Sequence, residues 1–367
     1  MKFRSEAADC TTSAIRDPAR GLLGVPLMAK KKSGRTKRLK DQVLVITGAS
    51  SGIGLATARM AAKAGARVVL AARNADDLNA VTNEICGNGG RAIAVQTDVA
   101  DEAAVDLLGE RAVLEFGTID TWVNNAGVSI YGKLTEVPLA DKRRLFDVNF
   151  WGVVHGSRTA VRLMRDTGGV LINIGSEVSD LAIPLQGMYS ASKHAVKGYT
   201  DALRMELEHD GIPIAVTLVK PSSINTPYPE HARNYLDEGV PALPAPVYAP
   251  EVVAEAILRC AERPVRDIIV GGAGRLQVAM GALAPRLSDR YMERSMFDRQ
   301  KTHDRTQPAE GSLEHPQRDG RAYGPYRGRM MRSSVYTRTA LSPVSRFLPF
   351  AAAGLALAAG IRRWRSA

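Results

Sequence analysis

Val43-Leu44-Val45-Ile46 is an unbroken apolar run that leads straight into Thr47-Gly48-Ala49-Ser50-Ser51-Gly52-Ile53-Gly54 and then into an alanine-rich stretch, Leu55 to Ala64, with helical spacing. A strand without polar alternation has to be covered on both faces. Glycines where such a strand gives way to a helix let the chain turn sharply and leave helix N–H groups open to an anion. The pattern recurs. Arg67 to Ala71, Arg91 to Val95, Thr121 to Val123, Gly169 to Ile174, Ile214 to Val219 and Asp267 to Val270 read as further strands. Ala75 to Cys86, Glu102 to Phe116, Leu139 to Met164 (one or two helices), Tyr189 to His209 and Glu251 to Glu262 read as the helices between them. Apolar strands alternating with helices predict an α/β fold, a Rossmann-type doubly wound parallel sheet with helices on both faces. Its ligand crevice lies at the carboxyl ends of the strands.

The formal charge of +11 over 367 residues points first to nucleic acid or an anionic membrane. Its distribution redirects that reading. Residues 1–40 hold 11 basic and 3 acidic side chains, 41–280 hold 22 and 28, and 281–367 hold 16 and 7. The chain therefore divides into a basic N-terminal extension expected to be disordered (1–40), an acidic Rossmann-type domain (41–280), an Arg-rich and largely irregular tail (281–345) with a short helix at 285–299, and a short apolar helix (346–367). No aromatic residues interleave the early Lys/Arg run, so nucleic acid is not an expected partner. A second reading has translation begin at Met28, since Met28 to Asp41 is an ordinary basic start to a cytoplasmic protein; it removes residues 1–27 and keeps seven of the eleven basic side chains. Residues 347–361 carry no charge and are flanked by Arg346 and Arg362. As a helix they span about 22 Å, short of the roughly 30 Å hydrocarbon core. Three readings stay open for them: a membrane anchor helped by snorkelling arginines, a helix packed on the body or a partner subunit, or disorder. Cys10, Cys86 and Cys260 form no C-x-x-C pair, which fits a reducing, cytoplasmic location and predicts no metal site.

Position gives the glycine-rich turn its meaning: after a buried strand and before a helix, it is a dinucleotide-binding signal. Its spacing, G-x-x-x-G-x-G, resembles the cofactor loop of the short-chain dehydrogenase/reductase family, and the resemblance extends over residues 42 to about 275. Asp98-Val99 is similar to the family's adenine-contacting pair, and Asn124-Asn125-Ala126-Gly127 to its sheet-stabilising motif. Asn149, Ser176, Tyr189 and Lys193 match its catalytic tetrad. Pro221 to Thr226 resembles the segment that closes over the nicotinamide, although Ser222 stands where the family often has glycine. The resemblance implies cofactor contacts from Thr47, Gly48, Ser50, Ser51, Gly52, Ile53, Gly54, Asp98, Val99, Asn125, Ala126, Gly127, Tyr189, Lys193, Ile224 and Thr226. It also implies that Lys193 holds the nicotinamide ribose, that Ser176 bonds the substrate oxygen, that Asn149 keeps a water in a proton relay, and that the protein forms a homodimer or homotetramer.

The residue chemistry leads the same way. Tyr189 and Lys193 stand at i and i+4 on a helix, so both project from one face. An ammonium beside a phenol favours the phenolate, which predicts a lowered Tyr189 pKa and a group able to exchange a proton with a substrate oxygen. A lone tyrosine is more often a half-buried helix aromatic, and Asn149 and Ser176 have ordinary readings as a helix-interior amide and a turn residue. His155, His194 and His209 belong to no motif. At the tip of the second strand stands Arg73 with no acid beside it, which predicts NADP(H) rather than NAD(H). The proline-rich segment 221–250 reads as a lid. These features predict an oxidoreductase moving a hydride between NADP(H) and a carbonyl or alcohol, with an apolar or lipid-like small molecule as substrate. The alternative is a non-catalytic NADP-binding regulator or membrane-associated scaffold with the same fold.

Overall fold

The computed structural model describes residues 36–302 and 310–342. The expectations for the first 35 residues and for the apolar segment 347–361 fall outside these. Seven parallel strands form the central sheet: β1 (Val43–Thr47), β2 (Arg67–Ala72), β3 (Arg91–Gln96), β4 (Thr121–Asn124), β5 (Gly169–Ile174), β6 (Ile214–Pro221) and β7 (Asp267–Val270). They lie in the order β7-β6-β5-β4-β1-β2-β3, so the chain leaves β1 toward one edge and returns to its other side at β4. That reversal opens the crevice the sequence predicts.

Alternation along β1 divides the core. Leu44 and Ile46 pack on one face with Leu55 and Ala58 of α1 (Gly52–Lys63) and with Val253 and Ile257 of α8 (Pro250–Glu262). Val43 and Val45 face the other way, toward Leu108 of α3 (Glu102–Phe116) and Ala160 and Met164 of α5 (Gly152–Met164). Two helices start on the polar caps their sequences supply. Asn74 accepts the Asp77 N–H at the head of α2 (Ala75–Gly87), and Asp101 accepts the Ala103 N–H at the head of α3. Under the sheet's active end, the Asn124 amide donates to Asn173 (2.9 Å) and Ser157 (3.2 Å) and accepts from the Trp122 indole (2.7 Å), joining β4, β5 and α5.

The stretch expected as one or two helices over Leu139 to Met164 is α4 (Leu139–Phe146) and α5 joined through a π-helical turn at Asp147–Trp151. α6 (Gly187–His209) follows β5, and a four-residue helix, α7 (Tyr228–His231), sits in the proline-rich segment. Beyond β7 lie two helices, the second over the 285–299 that the sequence predicts and the first passing the domain boundary placed at 281. α9 (Gly272–Leu283) crosses that boundary and α10 (Pro285–Arg299) follows it. Val278, Met292 and Met296 bury against Val178, Leu181 and Ile269, three apolar anchors that scarcely register among the surrounding arginines. Residues 310–342 also lie against the body. Leu313 is fully buried, Met330–Met331 pairs with Val247–Tyr248, and α11 (Val335–Ala340) contacts β7 and α9. Among the described residues, no helix is long and apolar enough to cross a membrane.

Candidate active site

Two adjoining clefts open above the carboxyl ends of β1, β4 and β5. The first is built on the glycine-rich turn. Gly48 (φ +65°) and Gly52 (φ +55°) hold left-handed backbone that a side chain would strain. A Cβ on Gly48 would lie 2.8 Å from Ala126 Cα, and one on Gly54 2.1 Å from the Gly48 carbonyl. Only glycine permits this close approach of turn, β4 loop and α1. Thr47 fixes the turn to the end of β4: its hydroxyl accepts the N–H groups of Asn125 (3.0 Å) and Ala126 (3.1 Å), while the Asn125 amide donates to the Thr47 carbonyl (2.9 Å). The result is a glycine cradle at the N-terminus of a 12-residue helix, which fits the pyrophosphate of a dinucleotide.

Gly48, Ser50, Ser51, Gly52, Ile53, Arg73, Asp98, Val99, Asn125, Ala126, Gly127 and Thr226 line this cleft. Thr47 and Gly54, expected as contacts, stand behind its wall and shape it. Ile224 lines the second cleft instead. Asp98 is held by Arg144 at 2.6 Å and by the Ala100 N–H at 3.0 Å; burial pushes its carboxyl up, but these donors keep it below its ordinary range. Arg73 does not point to open space. Its guanidinium donates to the carbonyls of Ser312, Leu313 and Glu314.

The second cleft brings together Ser176, Tyr189 and Lys193 with Tyr131, Ile183, Leu243 and Pro244. Ser176 caps the short turn Glu177–Ser179, its hydroxyl accepting the Val178 N–H at 3.3 Å. Tyr189 and Lys193 come from the first two turns of α6, with the ammonium 5.6 Å from the phenol ring centroid. Lys193 donates to the Ile174 carbonyl at 2.9 Å, and burial lowers its pKa to about 8. The expected depression of Tyr189 is not met in this state. Burial raises the phenol to about 12, although hydrogen bonds to the Ser176 and Tyr228 hydroxyls oppose the rise. The Lys193 ammonium does not offset that desolvation. Asn149 lies within the π-helical turn and is fully buried. Its amide accepts the Val128 N–H (2.8 Å) and donates to the Val128 carbonyl (3.0 Å) and Ser192 hydroxyl (3.2 Å), so it positions the loop carrying Gly127.

Three contributors escape the sequence reading. Tyr228 of α7 lines both clefts, stands edge-on to Tyr189 with centroids 5.5 Å apart, and donates to Gln186 at 2.7 Å. Gln186 in turn donates to Gln300 at 2.7 Å. Glu177 shares the second cleft; burial raises its carboxyl to about 7 despite a 2.8 Å bond from the Ser222 hydroxyl. Ser222 was the one visible signal, a departure from the glycine the resemblance implies. His155 and His194 bond the Val99 and Ser190 carbonyls, and neither lines a cleft.

A parallel sheet with a glycine cradle at its crossover point and Ser, Tyr and Lys in the adjoining cleft defines a nucleotide-binding oxidoreductase. The model of the short chain dehydrogenase family matches residues 42–236. The chain belongs to the short-chain dehydrogenase/reductase family and is an oxidoreductase of that family. It is 44% identical over 342 residues to the uncharacterized oxidoreductase YxnA of Bacillus subtilis, covering 92% of this chain and 94% of that one. Its fold is similar to a short chain dehydrogenase/reductase from Burkholderia phymatum solved with NAD (TM-score 0.60, 30% identity, 67% of this chain and 94% of that one). It is also similar to an alcohol dehydrogenase from the archaeon Thermococcus sibiricus complexed with 5-hydroxy-NADP (TM-score 0.55, 26% identity, 62% and 95%).

Proposed function

We propose that this oxidoreductase is an NADP(H)-dependent carbonyl reductase or alcohol dehydrogenase acting on an apolar or lipid-like substrate through Asn149, Ser176, Tyr189 and Lys193. The observation that carries the reading is the convergence of Ser176, Tyr189 and Lys193 in one cavity that adjoins the glycine cradle. In the reductive direction the Ser176 hydroxyl donates to the carbonyl oxygen and Tyr189 delivers its proton there. The bound dinucleotide supplies the hydride to the carbon, which completes the alcohol. Lys193, made easier to deprotonate by burial, stands beside the phenol that must be reprotonated. Asn149 fixes the Val128 backbone, and with it the floor between the two clefts. Gly52 and Ile53 would hold the pyrophosphate on α1. Arg73 would hold a 2′-phosphate, since a guanidinium forks onto a phosphate in a geometry a ribose hydroxyl does not need.

The apolar preference draws support from Val178, Ile183, Ile224, Leu243 and Pro244 in the lining of the second cleft, which they share with the polar Glu177, Gln186 and Ser222. Oxidation of NADPH against a graded series of aliphatic, aromatic and charged ketones tests it. Turnover is expected to rise with substrate hydrophobicity; exclusive turnover of charged ketones would contradict it.

A further inference from the structure

Residues 310–324 cross the mouth of the first cleft and are fastened to it largely by main-chain atoms. Three successive carbonyls, those of Ser312, Leu313 and Glu314, converge on the Arg73 guanidinium, the latter two at 3.0 Å. Further along, the Asn74 amide donates to the Gln317 carbonyl (3.3 Å), the Asp319 N–H donates to Asp77 (3.1 Å), and the Gly52 N–H at the head of α1 donates to the Arg321 carbonyl (2.9 Å). Ion pairs join Arg318 to Asp76 and Arg321 to Glu230 (2.9 Å), and the Asp319 carboxylate lies 2.7 Å from the His231 ring. Ser312, Pro316 and Gln317 line the cleft itself. This segment lies outside residues 42–236, which the family model matches.

A guanidinium has five N–H donors in a fixed fork, and here at least three are committed to carbonyl oxygens. Those carbonyls turn the negative ends of their dipoles toward the place a 2′-phosphate would take. A phosphate is the stronger, charge-assisted acceptor. A ribose 2′-hydroxyl is not, and has no comparable claim on Arg73.

We propose that residues 312–314 form a strap that competes with the 2′-phosphate of NADP(H) for Arg73, so that NADP(H) displaces the strap and NAD(H) does not. The proposal rests on the reading of Arg73 as the 2′-phosphate residue and adds an element that sets selectivity from 240 residues away in sequence. The contact of residues 312–314 with Arg73 costs NADP(H) alone the free energy of freeing the guanidinium, whereas the Arg321 carbonyl on the Gly52 N–H stands in the way of the pyrophosphate that both nucleotides carry. A binding-competent state that is only partly populated lowers apparent affinity by its population.

Two variants, at positions that do not themselves line the cleft, loosen the strap from different points. Asp319→Ala removes a side chain that is 4% exposed, faces His231 and accepts the Arg321 N–H. Gly311→Ala places a Cβ 2.6 Å from the Ala232 backbone at a φ of +59°. Both are compared with the full-length wild type by fluorescence titration with NADPH and NADH, after thermal unfolding has shown that each is folded. Loosening is expected to tighten NADPH about three- to tenfold more than NADH. In parallel, NADP+ is expected to speed tryptic cleavage at Arg318 and Arg321 more than NAD+ does. Equal changes for both nucleotides, or protection of Arg318 and Arg321 by NADP+, overturns the strap and makes the segment a plain wall of the site. Arg73→Ala in the Asp319→Ala background separates the underlying reading. It is expected to weaken NADPH alone, and unchanged NADPH affinity there would overturn the assignment of Arg73 rather than the competition.

Discussion

Glu177 combines a position next to Ser176 with a carboxyl that burial lifts to about 7 from an ordinary value of 4.5. The unfolded chain releases this proton near 4.5 and the folded chain near 7. Between those values the folded state binds more protons, so stability falls as pH rises through the window, and the contribution is fully present only below about 4.5. Glu177→Gln keeps the shape and removes the charge. It is expected to stabilise the protein at pH 8 relative to wild type and to lose that advantage by pH 4.5; urea midpoints at both pH values measure it, and a pH-independent difference would contradict the buried carboxylate. Tyr228→Phe removes the hydroxyl that donates to Gln186 and bonds Tyr189. It is expected to lower kcat by about tenfold with a change in stability of about 1 kcal/mol, checked by turnover and thermal unfolding. Tyr189 and Lys193 were legible at this scale because i and i+4 on a helix fix a shared face. Glu177 was not. Its carboxyl has room only because Gly274, almost a hundred positions later, has no side chain: a Cβ there would lie 2.2 Å from it.

At the scale of elements, the seven strands could be read because each is a continuous apolar run bounded by turn residues, and their parallel order follows from the helices between them. The π-helical turn at Asp147–Trp151 could not, since one extra residue in a helix leaves the apolar pattern on both sides intact. Yet that turn carries Asn149, whose amide holds Val128 by both backbone groups. Asn149→Ala leaves those buried groups without partners and is expected to cost about 1–3 kcal/mol, read from chemical unfolding, along with most of kcat. Unchanged stability would show that the amide does not brace the loop. α10 was legible as a short helix at 285–299, but α9 and the docking of both were not, because three buried apolar residues suffice to seat them amid exposed charge.

The whole molecule is an acidic body with basic extensions, and part of the basic C-terminal region is folded onto the body. Residues 310–342 lack periodicity, so nothing local announces that they dock. What fixes them is long-range: Leu313 in the core, a backbone pairing with Val247–Tyr248 and carbonyls placed on Arg73. The glycine-rich turn, by contrast, carries its meaning locally, since each glycine answers to a close backbone approach within the cradle. In the proposed reaction Tyr189 exchanges a proton with the substrate oxygen within a nucleotide-binding scaffold. NADPH affinity and ketone-dependent NADPH oxidation, measured together in wild type and Tyr189→Phe, test this role. Turnover is expected to fall by at least about 100-fold with NADPH affinity retained; turnover that survives the loss of the phenol would contradict the role of Tyr189.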